Sequence, residues 1–304
     1  MTSSLPAVTA IIPTVDRPEL LRRAIASVAD QDYAGRLSCV VVYDGTEPDW
    51  SLSRAGDRPV TVVVNTRKPG LAGARNTGVV LADTALVAFC DDDDAWLPGK
   101  LTAQVQRLAE VPEAVLASCG IRIEYGDSTT DRRLPSDTIA LDDLLRSRLA
   151  ELHSSSFVFR RRRLLDLGLV NEEVPGGFGE DYDLLLRAAR AGPIANVRDV
   201  HLLVRWHRAS HFVRRWDTMA AALEWLLREY PEFASVRAGE ARITGQIAFA
   251  HAALGRRRTA LRWARRTVGR NPLEARAYLA LAVAAGAVKA DALVSRLQAR
   301  GRSI

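Results

Sequence analysis

The sequence predicts an α/β domain with a mostly parallel sheet flanked by helices, followed by an all-α C-terminal domain. In the first part of the chain, short apolar runs alternate with amphipathic helical stretches. The runs are almost wholly apolar, as expected of parallel strands that helices cover on both faces. Beyond residue 212 every periodic stretch has the length of a helix. We therefore expect a first domain at 1–212 and a helical domain at 213–304.

The predicted elements follow from apolar periodicity and from proline. Val8 to Ile12 is a strand, and Pro18 suits the first turn of a helix whose inner face carries Leu21, Ile25 and Val28. The other predicted elements are strands at 39–43, 60–64, 86–90, 114–123 and 200–204, a helix at 70–82, and C-terminal helices at 219–227, 239–254, 259–268, 273–285 and 290–300.

Four consecutive carboxylates, Asp91 to Asp94, follow the apolar run Leu86 to Cys90. Adjacent like charges repel, so a loop gathers them where a cation compensates them. In an open α/β sheet the ligand site lies beyond the carboxyl ends of the strands, and Thr14, Asp16 and Asp44 fall at such ends too. The pattern predicts a ligand site there. The alternative is a solvated acidic turn whose carboxylates favour the dipole of the next helix.

Composition and charge restrict the classes of function. Apolar residues make up 48% of the chain and charged residues 26%, which is typical of a globular protein. Residues 205–304 hold 19 basic and 7 acidic side chains, a net charge of +12, whereas residues 1–204 carry −6. A basic C-terminal third favours anionic lipid, an anionic substrate or nucleic acid. It carries no nucleic-acid-binding motif with stacking aromatic residues, so we expect no nucleic-acid partner.

The sequence also predicts where the protein works. No apolar stretch reaches the roughly 18 residues of a membrane span, and the N-terminus lacks the basic region of a signal peptide. Cys39, Cys90 and Cys119 lie among apolar neighbours without metal-like spacing, as free thiols of a reducing compartment do. We expect a cytoplasmic protein with peripheral membrane contact through its basic C-terminal helices.

Four motifs in this order resemble family 2 glycosyltransferases of the GT-A fold, over residues of about 7–210. They are Ile11-Ile12-Pro13-Thr14 with Arg17-Pro18, Val42-Tyr43-Asp44-Gly45-Thr46, Gly70-Leu71-Ala72-Gly73-Ala74-Arg75-Asn76, and Asp91–Asp94 with Trp96, Pro98 and Lys100-Leu101. The resemblance implies transfer of a sugar from a nucleoside-diphosphate sugar, with a UDP-sugar preferred, to an acceptor hydroxyl. The acceptor class stays open among a glycan, a lipid-linked sugar and a small molecule. Tyr43 departs from an Asp that many members carry at this position.

The resemblance further implies roles toward the donor. Asp44 would accept a hydrogen bond from the imino N–H of the base, although an Asp-Gly pair also forms a plain turn. Asp91, Asp93 and His207 would hold Mn²⁺ or Mg²⁺ against the diphosphate, since these hard cations take oxygen ligands. The full set implied in nucleotide binding is Pro13, Thr14, Asp16, Arg17, Asp44, Arg75, Asp91 and Asp92.

On the acceptor side, Glu180 and Asp181 begin a helix after a glycine-rich turn. Acids at a helix start also favour the dipole, with no other role. The resemblance implies instead that Asp181 is the general base, which takes the proton from the acceptor hydroxyl in an inverting transfer. The residues implied to face the donor or acceptor sugar are Asp94, Trp96, His153, Ser154 and Glu180.

Two other functions stay open on the sequence alone. A nucleotidyltransferase also holds Mg²⁺ with carboxylates at strand ends, but Ile12 to Asp16 contains no glycine for a phosphate loop. A non-catalytic sensor of sugar nucleotides is the second, and retention of both the acidic run and Asp181 argues against it. The C-terminal helices weakly resemble a tetratricopeptide hairpin through Leu254-Gly255, Ala260 and Asn271-Pro272.

Overall fold

The computed structural model describes residues 5–126, 128–206 and 215–298. The chain divides into two compact units. The first is made of residues up to 141, 149–172 and 180–208, and the second of 142–148, 173–179 and 209 onward. The second unit therefore takes in two short segments from the earlier part of the chain. In the described ranges, no helix has both the length and the apolar character needed to cross a membrane.

The first unit contains a ten-stranded sheet and its flanking helices. The strands are β1 (Val8–Thr14), β2 (Leu37–Tyr43), β3 (Val60–Val64), β4 (Leu86–Phe89), β5 (Ala95–Trp96), β6 (Leu116–Tyr125), β7 (Ser128–Arg132), β8 (Thr138–Ile139), β9 (Val158–Arg160) and β10 (Ile194–Arg205). The helices before β10 are α1 (Pro18–Ala29), α2 (Leu71–Leu81), α3 (Lys100–Glu110), α4 (Leu141–Arg146), α5 (Arg161–Asp166) and α6 (Glu180–Ala191). Nearly all of α4 belongs to the second unit.

The strand order is β3-β2-β1-β4-β9-β6-β10-β5, with β7 beside β6 and β8 beside β10. β3, β2, β1 and β4 run parallel, which confirms the predicted parallel core. β9 runs antiparallel between β4 and β6, while β6 and β10 are parallel again. The sheet is therefore parallel on one side and mixed on the other.

The register of β1 places the polar residues at the ends of neighbouring strands side by side. β1 lies between β2 and β4, with Thr14 opposite Tyr43 and Ile11 opposite Phe89. All seven residues of β1 are buried, because helices cover both faces of the sheet. Residues that follow β1, β2 and β4 consequently meet at one edge of the sheet, as the α/β prediction requires.

The second unit contains the C-terminal helices and confirms the predicted helical region. They are α7 (Trp216–Glu229), α8 (Arg237–Ala253), α9 (Arg257–Arg270), α10 (Ala275–Ala284) and α11 (Ala290–Gln298). Their core is rich in alanine, with the rings of Trp216 and Phe249 packed edge to face at 5.5 Å between centroids. Small side chains let the helices approach closely. The tetratricopeptide resemblance stays a prediction.

A buried polar cluster fixes α9 on α8. Glu240 is 1% exposed and forms ion pairs with Arg266 and Arg270. The hydroxyl groups of Thr244 and Thr267, both wholly buried, lie 2.9 Å apart in a hydrogen bond. A buried acid that meets two guanidinium groups is satisfied only in one rotation of α9 about its axis.

Two glycines show how closely the early segments of the second unit pack against its helices. A Cβ on Gly239 of α8 would lie 1.9 Å from the carbonyl oxygen of Leu145. A Cβ on Gly176 would lie 2.3 Å from the Thr218 methyl carbon of α7. Both contacts leave no space for a side chain, so residues 142–148 and 173–179 are integral parts of this unit.

Lys100, at the start of α3, is a charged residue that is buried in the first unit. Its side chain is fully buried, and its Nζ lies 4.2 Å from the centroid of the Trp96 ring without a hydrogen-bond partner. Burial lowers the pKa of Lys100 to about 8, because an ammonium group loses its hydration there. The sequence shows only a lysine after a glycine, a position that is usually solvated.

We expect Lys100 to make the free energy of unfolding increase with pH. The folded protein releases this proton near pH 8, while the unfolded chain keeps it until about 10.5. Between these values the unfolded state binds more protons, so stability rises with pH, by at most about 3 kcal/mol for this residue. Urea unfolding of wild type and Lys100→Met at pH values from about 7 to 10 isolates the effect, since other groups cancel in the difference.

The exposed Lys289 gives the matched control. Lys289→Met should follow the wild-type pH dependence, whereas Lys100→Met should lose the rise. Parallel curves for wild type and Lys100→Met would show that the Lys100 ammonium is solvated.

Candidate functional site

The acidic run after β4 folds into a tight turn. The Asp94 N–H donates to the Asp91 carbonyl oxygen at 3.1 Å, and the Asp91 N–H donates to Ser155 Oγ at 2.9 Å. The turn therefore projects its carboxylates in different directions. Asp92 and Asp93 share Arg17, Asp91 meets Arg75 and Asp94 lies beside His153, and these partners allow four adjacent anions to be tolerated.

Arg17 compensates the two central carboxylates. Its guanidinium donates to Asp92 Oδ1 at 3.1 Å and to Asp93 Oδ2 at 2.7 Å, and Thr14 Oγ1 donates to Asp92 Oδ2 at 2.7 Å. Burial raises the pKa of Asp92 despite these bonds. The Arg17 side chain is 49% exposed. Solvent screens such a pair, so Arg17 can exchange partners at little cost.

Arg75 lies beneath the acidic turn, and its side chain is 1% exposed. It donates to Asp91 Oδ1 at 2.7 Å, to Ser154 Oγ at 2.8 Å and to Glu180 Oε1 at 3.1 Å. Burial alone would raise the pKa of Asp91, but Arg75, His153 and the Ser154 hydroxyl together outweigh burial and lower it. The sequence suggested that Arg75 reaches the nucleotide, whereas the structure surrounds it with carboxylates from two parts of the chain.

Asp94 and His153 form the least satisfied pair in the site. Asp94 Oδ2 is buried without a hydrogen-bond partner and lies 3.4 Å from His153 Nδ1. That nitrogen already accepts a bond from the Ser155 N–H at 3.3 Å. An unprotonated Nδ1 and a carboxylate oxygen are both acceptors, so a proton on either group or a bound cation would stabilise this close contact. Burial, opposed by His153 and reinforced by the neighbouring carboxylates, raises the pKa of Asp94 to about 7.

This part of the site can hold a metal ion. Asp91, Asp94 and His153 each offer one ligand atom, and the three atoms lie within 4.8 Å of one another. Two carboxylates and an imidazole suit a divalent cation. A bound cation would also satisfy the Asp94 oxygen that lacks a hydrogen-bond partner. Asp93, which the sequence predicted as a metal ligand, instead accepts a hydrogen bond from Arg17. His207 lies outside the described residues.

The first turn of α6 carries three acids with separate environments. Asp183 is 1% exposed and is bound by Arg187 at 2.8 Å, so it has a structural role within the helix. Glu180 is buried against Arg75, and burial together with the adjacent Asp181 carboxylate raises the pKa of Glu180 to about 7. Asp181 is partly exposed. It is thus the most exposed acid of this turn.

Asp44 holds the loop that precedes α2. Its Oδ1 accepts a bond from Asn65 Nδ2 at 2.7 Å, and its Oδ2 accepts one from the Gly70 N–H at 2.7 Å. A carboxylate has about four acceptor positions, so each oxygen retains a lone pair for a further donor. The turn interpretation and the base-binding interpretation of Asp44 are therefore compatible.

The remaining predicted residues occupy several environments. Trp96 is 3% exposed, and its indole N–H donates to the Ser155 carbonyl at 3.2 Å, so its ring is covered here. Pro13 is a buried residue of β1. Asp16 is exposed at a positive φ of 47°, directly after that strand. Ser154 is buried beside Arg75 and donates to Asp91 Oδ2 at 3.1 Å.

Ser155 is the site residue that the sequence did not single out. Its hydroxyl accepts from Asp91, its carbonyl accepts from Trp96, and its N–H donates to His153. It thereby joins three residues that the sequence did predict. The run Ser154–Ser156 carried a weak signal, because three small polar residues before an apolar strand are typical of a structured turn.

Comparison with known proteins identifies the family. The family model described as "Glycosyl transferase family 2" matches residues 9–168, more than half of the chain. The chain belongs to glycosyl transferase family 2. This membership makes it a glycosyltransferase and decides against the nucleotidyltransferase. It is 30% identical over 180 residues to the "GalNAc(5)-diNAcBac-PP-undecaprenol beta-1,3-glucosyltransferase" of Campylobacter jejuni, and the match covers 57% of each protein.

Solved structures of low sequence identity confirm the GT-A fold of this family 2 member. S. aureus TarS 1–349 in complex with UDP-GlcNAc is 15% identical, with a TM-score of 0.62 and coverage of 91% of this chain and 88% of that one. The mannosyltransferase PcManGT from Pyrobaculum calidifontis, in complex with GDP-Man and Mn²⁺, is 21% identical, with a TM-score of 0.57 and coverage of 94% and 82%.

We expect Arg75→Met to destabilise the glycosyltransferase in a pH-dependent way. Without Arg75, the buried Glu180 and the partly buried Asp91 lose their common cation, which costs about 3–5 kcal/mol when both are charged. The folded pKa of Asp91 is lowered in wild type, so its stabilising contribution exists above its ordinary pKa and disappears as pH falls. Glu180 adds to the cost above about pH 7. Urea unfolding in chelator should show a large loss near pH 7.5 and a smaller one near pH 5.

Arg161→Met is the matched control. Arg161 donates to the carbonyl oxygens of Val79 and Val80 and pairs with no acid among the residues that the structure describes, so its loss should be the same at both pH values. An Arg75→Met loss that is equally independent of pH would mean that Arg75 acts by packing alone.

Proposed function

We propose that this protein is a metal-dependent inverting glycosyltransferase that uses a nucleoside-diphosphate sugar, with a UDP-sugar preferred. The observation that carries the proposal is the bridge through Arg75. This one side chain contacts Asp91 of the acidic turn and Glu180 of α6, so the predicted donor-binding acids lie next to the turn that carries Asp181. A transferase needs these two groups on either side of one anomeric carbon.

The donor would bind across the edge formed by β1, β2 and β4. Asp44 keeps acceptor capacity for the imino N–H of the base, which uracil, thymine and guanine all offer. Of the structural neighbours, TarS was solved with UDP-GlcNAc and PcManGT with GDP-Man, and both ligands fit this chemistry. Arg17 is half exposed and could turn from Asp93 to the diphosphate, which would free Asp93 for a metal ion.

The residues that would hold Mn²⁺ or Mg²⁺ are Asp91 with either Asp93 or the Asp94–His153 pair, and His207 is a further candidate. The fit rests on the orphaned oxygen of Asp94 and on the grouped ligand atoms. When bound, a divalent cation neutralises charge that develops on the departing diphosphate. Arg75 stays beneath the turn and fixes the Asp91 carboxylate in place.

Asp181 is proposed as the general base. Its carboxylate accepts the proton of the acceptor hydroxyl while that oxygen forms a bond to the anomeric carbon. The bond from the same carbon to the diphosphate oxygen breaks on the opposite face, so the configuration inverts. Glu180, with its pKa raised to about 7, is poised beside Asp181 to hold or orient the acceptor.

The acceptor class and the compartment are proposed more broadly. A glycan, a lipid-linked sugar or a small molecule can present the hydroxyl that Asp181 requires. The name of the Campylobacter relative specifies a lipid-linked undecaprenol diphosphate acceptor, which supports a lipid-linked sugar for this chain as well. A cytoplasmic enzyme at the membrane surface would meet both that acceptor and a nucleotide sugar.

Nucleotide binding should require the divalent cation. UDP brings a diphosphate to four carboxylates, and without a cation their repulsion opposes binding. Calorimetric titration of UDP should give an affinity at least about tenfold higher with Mn²⁺ than with chelator. Asp93→Asn should reduce the Mn²⁺-dependent gain, whereas Asp83→Asn, which alters an exposed acid paired with Arg36, should not. Equal UDP affinity in both buffers would remove the metal from the proposal.

Asp181→Asn should lower turnover by roughly 10²-fold or more, the usual scale of general-base catalysis, and change UDP affinity little. Asp217→Asn is the control, because Asp217 is an exposed acid in the first turn of α7 and shares only the helix-dipole role. Sugar transfer and UDP binding are measured on all three proteins. A fully active Asp181→Asn variant would transfer the role of base to another group, with Glu180 next.

A further inference from the structure

Helix α9 carries an unusual density of positive charge. Its 14 residues include six arginines and no acid. Two of them, Arg266 and Arg270, form ion pairs with the buried Glu240. The other four are exposed, and within the described part of the chain their side chains have neither an ion pair nor a hydrogen bond: Arg257, Arg258, Arg262 and Arg265.

These four arginines share one face of the helix. At 100° per residue, positions 257, 258, 261, 262 and 265 fall within an arc of about 140°. Leu261 lies inside that arc and is 40% exposed. The opposite side buries Ala260, Ala264 and Thr267 against the unit. Because Glu240 fixes the rotation of α9, the arginine face cannot turn inward. We call this surface, Arg257, Arg258, Leu261, Arg262 and Arg265, the α9 face.

We infer that the α9 face docks on a bilayer of anionic phospholipids. Guanidinium groups pair with phosphate in a bidentate geometry, and a row of them lying flat can bind several headgroups at once. The helix is about 21 Å long, enough to span several lipids. Leu261 among the arginines supplies the apolar contact that interfacial helices insert at the boundary between headgroups and acyl chains.

The α9 face fits a lipid surface better than it fits nucleic acid. It carries no aromatic side chain for base stacking, and Leu261 has no favourable contact with a phosphate backbone. The surrounding sequence adds to the attraction toward anions, since residues 205–304 have a net charge of +12. Each basic residue held near an anionic membrane strengthens binding by about fivefold, and salt weakens the effect within a Debye length.

Vesicle sedimentation tests this docking without any sugar transfer, so its outcome is independent of the proposed function. The full chain is mixed with phosphatidylcholine vesicles that contain about a third phosphatidylglycerol, or none. We expect sedimentation with the anionic vesicles only, and release as salt increases to about 0.5 M.

Charge reversal locates the contact. Arg258→Glu/Arg262→Glu/Arg265→Glu should weaken partitioning by about 100-fold or more, from three contacts of about fivefold each. The matched control is Arg228→Glu/Arg237→Glu/Arg296→Glu, which makes the same change in net charge at exposed arginines of other helices. The control should lose at most about fivefold through the general change in charge. Arg258→Lys/Arg262→Lys/Arg265→Lys keeps the three charges but loses the bidentate geometry, so it should retain most of the binding. Equal melting temperatures would show that every variant is folded.

Four outcomes would overturn the inference. Equal loss in the two charge-reversal variants would mean that net charge acts, and not the α9 face. Equal binding to neutral vesicles would exclude an electrostatic contact. Binding of a duplex oligonucleotide by wild type, without binding of vesicles, would assign the face to nucleic acid. Salt-sensitive self-association that the triple variant abolishes, again without vesicle binding, would assign it to a second copy.

Discussion

The repulsion among four adjacent carboxylates is the constraint that the catalytic unit has to satisfy. Asp91 to Asp94 follow a strand at the centre of the sheet, where water cannot screen all of them. In the fold, cationic or polar side chains from different elements compensate these carboxylates. Arg17 comes from the start of α1, Arg75 from α2 and His153 from the turn before β9. The positions of these elements are therefore linked to the compensation of one run of carboxylates.

Among these partners, Arg75 constrains the structure most, because its side chain is buried. An exposed arginine can donate hydrogen bonds to water or to any of several acids, whereas a buried arginine needs acceptors at fixed positions. Its acceptors are Asp91, Ser154 and Glu180, from three distant parts of the sequence. This makes the acidic turn and the start of α6 parts of one network. A disturbance at the acidic turn is then expected to reach the start of α6 through side chains rather than through the sheet.

The sequence predicted the elements whose patterns are long or local. The parallel strands, α1, α2 and the five C-terminal helices follow from apolar periodicity, and the acidic turn follows from its own composition. Four features were not predicted, for physical reasons. β9 has only three residues, too few for a periodic signal, so its antiparallel position was not foreseen. The partners of Arg75 and the burial of Lys100 depend on tertiary packing over many tens of residues. The pairing of Asp94 with His153 likewise depends on the tertiary fold, because the two residues are far apart in the sequence.

The interleaving of the two units has a consequence for how this enzyme can be recombined. Residues 142–148 and 173–179 are inserted in the transferase sequence, but they pack with the C-terminal helices, as the contacts of Gly239 with Leu145 and of Gly176 with Thr218 show. The second of these segments ends directly before Glu180. The helical part is consequently not a detachable module, and a graft onto another transferase would have to carry three separate stretches of chain. Loss or exchange of this part by a single crossover would be selected against, because the lead-in to the proposed base would lose its packing.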